Sequence, residues 1–396
     1  MTRQIVLGVS GGIAAYKACE LLRLMTEAGH AVRVVPTAAA LRFVGAPTWE
    51  ALSGRPVHTE VWQDVPEVEH VRLGQTADLV LVVPATADLL ARAAHGQADD
   101  LLTATLLTAR CPVLYAPAMH TEMWEHPATV DNVATLRRRG AIVVEPDSGR
   151  LTGPDTGKGR LPAPAALYEL VERLLADPAR TPDLAGRRIV VTAGGTREYL
   201  DPVRFLGNRS SGKQGYAFAR AAVARGAAVT LVSANVALPT PAGVELVRVE
   251  TTEELRKAVV AQAADADAVV MAAAPADFRP AEYATSKIKK TGGGAPTLAL
   301  AETVDIAAEL GAAKRPGQVL VAFAAETDDL LANAAAKLSR KRADLIVANQ
   351  VGVDRGFGTD TNAATVLGAD GSTTDLPEMT KAEIADRVLD LVAARL

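Results

Sequence analysis

Short apolar runs recur along the chain at 4–9, 31–35, 77–83, 112–116 and 141–144, each followed by a longer segment with apolar positions at helical spacing. The runs are apolar at consecutive positions rather than alternating, the mark of strands covered by helices on both faces. Strands joined through helices pair in parallel, because a parallel connection needs a crossover. A second series follows at 188–192, 228–233, 268–273, 319–324 and 344–348. The chain therefore reads as α/β, with two doubly wound parallel-sheet domains in succession. Between the series a helical stretch at 164–175 gives way to DPARTPDLAG, whose Pro, Asp and Gly content marks a connector. The boundary is expected near residue 180, giving domains 1–180 and 181–396, and the lack of an internal repeat predicts two different devices.

Length and composition narrow the class. At roughly 150 residues per domain, 396 residues suit two domains better than one. With 42 Lys and Arg against 46 Asp and Glu, the net charge of -4 lacks the basic excess of a phosphate tracker, so nucleic acid is not an expected partner. Hydrophobic residues make up 49% and aromatics only 4%, which excludes disorder and predicts cores built from Ala, Val and Leu. Cys19 and Cys111 are too few for a disulfide scaffold and suit a reducing compartment. No run approaches the ~18 apolar residues of a membrane span. The first residues lack the apolar core of a signal peptide, so a cytoplasmic location and no membrane partner are expected.

Each series opens on a glycine-bearing turn. In GVSGGIAAYKACELLRLM, Gly8, Ser10, Gly11 and Gly12 link a strand end to a helix start, where unpaired N–H groups and the positive dipole end suit a phosphate. Taken alone, the pattern equally describes a tight packing turn. In the second series Gly194, Gly195 and Thr196 form the first turn, and Ser210, Ser211, Gly212 and Gly215 lead into a helix near Lys213. Amides, two hydroxyls and a lysine are the minimum for holding a polyphosphate. Neither GxxxxGK[ST] nor GxGxxG is present, and no acid follows the next strand, which argues against a nicotinamide-dependent dehydrogenase.

Further motifs give the first half a family likeness. PTAAALRFV at 36–44, EHVRL at 69–73, PATADLLARAAHGQADDLL at 84–102 and PAMHTEMW at 117–124 together resemble the flavin-dependent phosphopantothenoylcysteine decarboxylases over residues 4–165. The resemblance implies a flavodoxin-like domain binding FMN, whose flavin oxidises the substrate thiol so that the carboxylate leaves from a thioaldehyde. It assigns Ser10 and Gly11 to the phosphate, Thr37 and Phe43 to the flavin side, and Pro84, Ala85 and Thr86 to the ring. His70 matches the active-site histidine; without its neighbours it reads as a polar residue at a strand start. Met119 and Arg160 fall at substrate positions. Two departures stand out: His120 replaces the Asn of PxMNxxMW, and Thr152 replaces the Cys of the flap motif ACGxxGxGR, while Gly153, Gly157, Gly159 and Arg160 are kept. That Cys donates the proton in the last reduction, and a Thr hydroxyl is a poorer acid. The expectation is that His120 compensates for Thr152 in catalysis; the alternative is an active ligase joined to an FMN-binding half altered in decarboxylation.

The second half resembles the phosphopantothenate cysteine ligases over 186–394, through TAGGTREYLDPVRFLGNRSSGKQG at 192–215, MAAAPADFRP at 271–280, KIKK at 287–290, FAAET at 323–327, KLSRKRADLIVANQ at 337–350 and GFGTDTN at 356–362. The two activities in this order match the bacterial bifunctional family of coenzyme A synthesis. The resemblance implies a Rossmann-like ligase domain that activates 4'-phosphopantothenate with CTP as an acyl cytidylate, then joins it to L-cysteine. The phosphopantothenoylcysteine so formed passes to the decarboxylase for conversion to 4'-phosphopantetheine. Gly194, Ser210, Gly212, Asp277, Lys287, Phe323, Lys337 and Lys341 match CTP positions, with Asp277 holding Mg²⁺, Asn208 and Lys287 catalytic, and Arg204 near the substrate phosphate. Lys337 and Lys341, four apart, share a helix face. ETVDI at 302–306 stands where NPDI is usual, and ANQ at 348–350 where AND is; CTP rather than ATP is expected from the fused architecture. The family also implies a homo-oligomer of trimeric flavin domains and dimeric ligase domains, up to a dodecamer, with flavin sites at the subunit contacts.

Overall fold

The computed structural model describes residues 2–62, 68–153, 155–177, 180, 182–289, 297–326, 329–350 and 359–396. The chain forms two compact units, Met1–Arg187 with Ala222–Ala228 and Thr240–Val244, and Arg188–Ala221 with Val229–Pro239 and Glu245–Leu396.

The first unit runs β1 (Gln4–Val9), α1 (Ala15–Glu27), β2 (Ala31–Pro36), α2 (Ala46–Ser53), α3 (Glu69–Thr76), β3 (Leu79–Ala85), α4 (Ala87–His95), α5 (Leu101–Thr108), β4 (Val113–Pro117), α6 (Thr121–Trp124), α7 (Pro127–Arg138), β5 (Ile142–Val143), β6 (Asp147–Arg150), β7 (Thr156–Arg160) and α8 (Pro164–Ala176). Strands β2-β1-β3-β4-β5 form one parallel sheet in that order. This is the flavodoxin-like order, with its switch point between β1 and β3. Every residue of β3 is buried, as a strand between two helix layers must be. Helix α1 buries Ala15, Ala18, Leu21, Leu22 and Met25, an apolar stripe at three- and four-residue steps. Strands β6 and β7 pair antiparallel as a hairpin outside the main sheet. EHVRL lies within α3, so His70 sits on a helix and not at a strand start.

The second unit continues with β8 (Arg188–Gly194), β9 (Arg197–Tyr199), β10 (Phe205–Gly207), α9 (Lys213–Ala224), β11 (Ala228–Ala234), β12 (Val244–Val249), α10 (Thr252–Ala263), β13 (Ala268–Met271), β14 (Phe278–Pro280), β15 (Leu300–Glu302), α11 (Ile306–Ala313), β16 (Val319–Glu326), α12 (Leu330–Lys341), β17 (Leu345–Gln350), β18 (Thr361–Gly368), β19 (Thr373–Thr380) and α13 (Lys381–Ala393). Its main sheet has the order β12-β11-β8-β13-β16-β17-β18-β19. The first six strands follow the Rossmann order, which reverses between β8 and β13. The sheet is not wholly parallel: β18 pairs antiparallel with β17, and β19 with β18. A hairpin needs no crossover helix, so these strands escape a search for βαβ alternation. The unit's core is rich in alanine, including Ala234, Ala263, Ala266, Ala322, Ala324, Ala334 and Ala348, as the low aromatic content predicts. No described helix is long and apolar enough to cross a membrane.

Candidate functional site

At the first switch point the ends of β1 and β3 are tied by one side chain. The buried Ser10 hydroxyl donates to the Pro84 carbonyl at 2.7 Å and accepts from the Thr86 N–H at 2.9 Å. Its own N–H also donates to Pro84, at 3.2 Å. Thr86 then caps α4 by accepting from the Leu89 N–H. Thr37 lies beside this pair, its N–H donating to the Val9 carbonyl and its side chain accepting from the Ala40 N–H. Gly11 passes so close to Ala39 that a Cβ there would collide with it. Ser10, Gly11, Thr37, Pro84, Ala85 and Thr86 thus converge on one edge of the sheet. Helix α1 starts here with Ala14 at its N-cap, no side-chain cap and no acid in its first turn, so its opening N–H groups face the turn without a protein carboxylate. Phe43 follows a short 3-10 turn and is 51% exposed, as are Ile13 (62%) and Tyr16 (61%).

The β6–β7 hairpin carries the flap motif. The Met119 N–H donates to the Gly159 carbonyl, and Gly157 packs so tightly on Thr121 that a Cβ would meet its hydroxyl. The flap strand therefore lies along the segment holding Met119 and His120, which brings the two family departures onto neighbouring elements. His120, Thr152 and Arg160 are exposed. At the hairpin base Glu145 binds Arg137 and Lys158, both at 2.8 Å; burial works to raise its carboxyl, but the two cations hold it below the usual range.

His70 lies on α3, outside this hydrogen-bonded cluster. It is half-buried on α3, its carbonyl accepts from the Thr108 hydroxyl at 2.7 Å, and its Nδ1 is buried without a partner. Among the described residues no hydrogen bond joins it to the β1–β3 edge within one chain.

The second switch point opens on a cavity of about 360 Å³. It is lined by Ser210 to Gly215 between β10 and the first turn of α9, Met271 to Asp277 from the end of β13, Thr303 to Ala307, Phe323, and Lys337, Arg340 and Lys341 of α12. The glycines shape it. Gly194, at φ +88°, abuts the Ala234 carbonyl, and Gly215 lets α9 sit directly on β8. Lys341 pairs with Asp305 at 2.6 Å, and Asp305 is buried enough to raise its carboxyl yet is held low by that lysine. Phe323 meets Phe218 edge to face at 5.8 Å. Six sequence candidates, Ser210, Gly212, Asp277, Phe323, Lys337 and Lys341, therefore line one space.

Asn208 sits at the rim: its side-chain amide donates to the Pro275 carbonyl at 2.9 Å. Arg204 reaches Asp201 at 3.0 Å and the Ile288 carbonyl at 3.1 Å, and Asp201 also accepts from the Ile288 N–H. The turn that carries Arg204 is thereby tethered next to Lys287, which is exposed and is not among the cavity's lining residues. Among the described residues no three His, Cys, Asp or Glu gather as a metal cage. The first residues of GFGTDTN, the last of FAAET and the last of KIKK lie outside the described residues.

Sequence reasoning missed several lining residues: Arg340, Asn349, Asn362 and Lys381. Lys381 is the most informative. It is 7% exposed at the first position of α13, and its ammonium donates to the Thr359 carbonyl. Burial, then the nearby Lys213, push its pKa down. The capping box of Thr380 and Glu383 announces the helix in the sequence, but nothing local says that its first lysine faces a cavity.

The flavoprotein family model matches residues 1–176, and the model for the DNA/pantothenate metabolism flavoprotein C-terminal domain matches residues 184–396. The coenzyme A biosynthesis bifunctional protein CoaBC of Mycobacterium tuberculosis (strain ATCC 25618 / H37Rv) is 59% identical over 405 residues, covering 100% of this chain and 97% of that protein. The protein of the same name from Bacillus subtilis (strain 168) is 44% identical over 396 residues, covering 99% and 97%. A solved structure of the C-terminal domain of a coenzyme A biosynthesis bifunctional protein CoaBC aligns at 40% identity over 54% of this chain and 97% of that one, with a TM-score of 0.47.

Proposed function

The chain belongs to the family of coenzyme A biosynthesis bifunctional proteins, and on that premise we propose how its residues divide the two activities, ligation and decarboxylation. In the second unit, 4'-phosphopantothenate is activated by CTP with release of pyrophosphate, and the amine of L-cysteine displaces CMP to form the amide. The cavity beside Ser210 to Gly215, with Lys337 and Lys341 on one wall, carries this reading, because a triphosphate needs converging cations and amides. Asp277 supplies one carboxylate, which suits a Mg²⁺ ion carried largely by the phosphates rather than by a protein cage. Asn208 is set to donate to the developing charge on the acyl cytidylate, and Lys287 and Arg204 to receive the acid substrate.

In the first unit, Gly11, Thr37, Phe43 and Pro84 to Thr86 would hold FMN, with Ser10 fixing the turn through Pro84 and Thr86, and the start of α1, which has no side-chain cap, fits its phosphate. Bound there, FMN would supply the two-electron oxidation of the substrate thiol and the return of those electrons after carbon dioxide leaves. His70 would manage the substrate's proton or carboxylate. Met119 and Arg160 would contact the substrate, and His120 with Thr152 on the adjoining flap would serve the last protonation. The exposed Ile13, Tyr16 and Phe43 beside this edge support a trimer in which one copy's His70 meets a neighbour's flavin.

The test uses the purified full chain. A yellow protein of oligomeric mass that releases pyrophosphate with CTP faster than with ATP, and carbon dioxide from phosphopantothenoylcysteine, is the expected result. A colourless monomer would remove the first-unit reading, and a clear preference for ATP the second.

A further inference from the structure

Immediately before His70 the chain carries a group that neither reaction uses. Glu69 is fully buried at the first position of α3. One carboxylate oxygen lies 2.5 Å from Arg33 Nη2 on β2, and the other lies 2.7 Å from Nδ1 of His58. The two partners also approach each other, Nη2 to Nδ1, at 3.1 Å. Burial acts to raise the Glu69 carboxyl, but the His58 and Arg33 hydrogen bonds outweigh it and hold it charged. A buried carboxylate with one cationic or hydrogen-bonding partner for each oxygen is a fixed point, since moving it would strand a charge in the interior.

The helix after it is held as well. Val68, the exposed N-cap of the helix, sits at φ +44° in the left-handed region. The His70 carbonyl takes the Thr108 hydroxyl, and Gly74 packs directly on the backbone of Thr108. Helix α3 is thus pinned to β2 through Glu69 and to α5 through Thr108. Between those pins the His70 side chain has its Nδ1 turned into the protein, where it meets no partner of its own. Among the described residues no hydrogen bond holds the imidazole, so its aim depends on where the helix is held.

We propose that Glu69, clamped by Arg33 and His58, is a positioning residue: it sets the first turn of α3 and thereby the direction in which His70 presents its ring to the substrate. The inference rests on the role given above to His70 in decarboxylation. A histidine displaced by even a fraction of an ångström loses proton-transfer geometry while substrate contacts made elsewhere persist, so the effect belongs in kcat more than in KM.

The experiment compares full-length Glu69→Gln, His58→Gln and His70→Asn with the parent chain. Glu69→Gln is expected to lower kcat for carbon dioxide release about tenfold, with KM, flavin content and ligation little changed. His58→Gln, which leaves one clamp in place, should fall about threefold and decides the matter if Glu69→Gln does not fold. A second readout is independent of turnover. The His70 ring resonance, assigned from its loss in His70→Asn, is expected to be single in the parent and to broaden or split in Glu69→Gln as the ring samples more than one orientation. Unchanged kcat and an unchanged resonance in the clamp variants, or losses that merely track flavin content or ligation, overturn the inference. A His70→Asn variant that decarboxylates normally overturns instead the role of His70, so the two failures are distinguishable.

Discussion

The two switch points differ in what their loops leave free. At the β1–β3 edge the Ser10 hydroxyl is consumed on both sides, donating to Pro84 and accepting from Thr86, and among the described residues no charged side chain bonds to it. At the β8–β13 edge the loop opens on a cavity, and its lysines are held by carboxylates, Lys341 by Asp305 and Lys213 by Asp360, each at 2.6 Å. The first is a closed cradle of backbone and hydroxyls, suited to a group that stays. The second is a set of exchangeable ion pairs, suited to a polyanion that must arrive, react and leave. On the function proposed above, one topological device would serve a resident cofactor in one unit and a consumed co-substrate in the other, according to whether the loop spends its polar groups on itself.

The largest break in this contrast should come from Asn208→Ala. It removes one donor at the cavity rim and is expected to cost about 100-fold in ligation kcat, while carbon dioxide release in the same preparation is unchanged. Gly11→Ala attacks the other edge: its new methyl meets Ala39, overpacking that costs about 1–3 kcal/mol. Flavin absorbance per chain should drop, with ligation intact. Lys341→Met should raise KM for CTP about tenfold, and added salt should narrow that gap by raising KM more in the parent than in the variant.

The smallest effect sharpens the contrast through pH. Glu69 has a lowered pKa in the folded chain, so it contributes stability fully above the unfolded carboxyl value of about 4.3 and loses it as the pH falls through the lowered value. Melting curves should put Glu69→Gln a few degrees below the parent at pH 7 and bring the two together only as the pH falls through the lowered Glu69 value. A gap that widens in acid would contradict the charged state assigned to Glu69.

Much of this was legible along the chain. Apolar runs located β1 to β4 and β8, β11, β13, β16 and β17 to within a few residues, because a doubly covered strand must be apolar throughout. The loops after β1 and β8 were legible for a related reason: close backbone approach admits only glycine, and at Gly194 the positive φ favours it further. The β18–β19 hairpin was missed, although the alternating burial of Thr361 to Gly368 is a half-exposed strand pattern, since the alternation is blurred by consecutive alanines and threonines. His70, read without its neighbours as a polar residue at a strand start, lies instead in a helix, because a few residues do not separate a helix turn from a strand end.

The sequence by itself determined the fold class, the order of the two units and the chemistry on offer at each glycine turn, because periodicity and backbone sterics are local. Only the tertiary structure decided which charges meet. Arg33, His58 and Glu69 lie 11 to 36 residues apart and read singly as surface polar groups, yet they close into one buried cluster. Lys381 reaches the cavity of Lys213 across 168 positions of chain. The physical reason is common to both cases: whether a charge is solvated or clamped depends on what packs against it, and that is a property of the folded layers rather than of any window of residues.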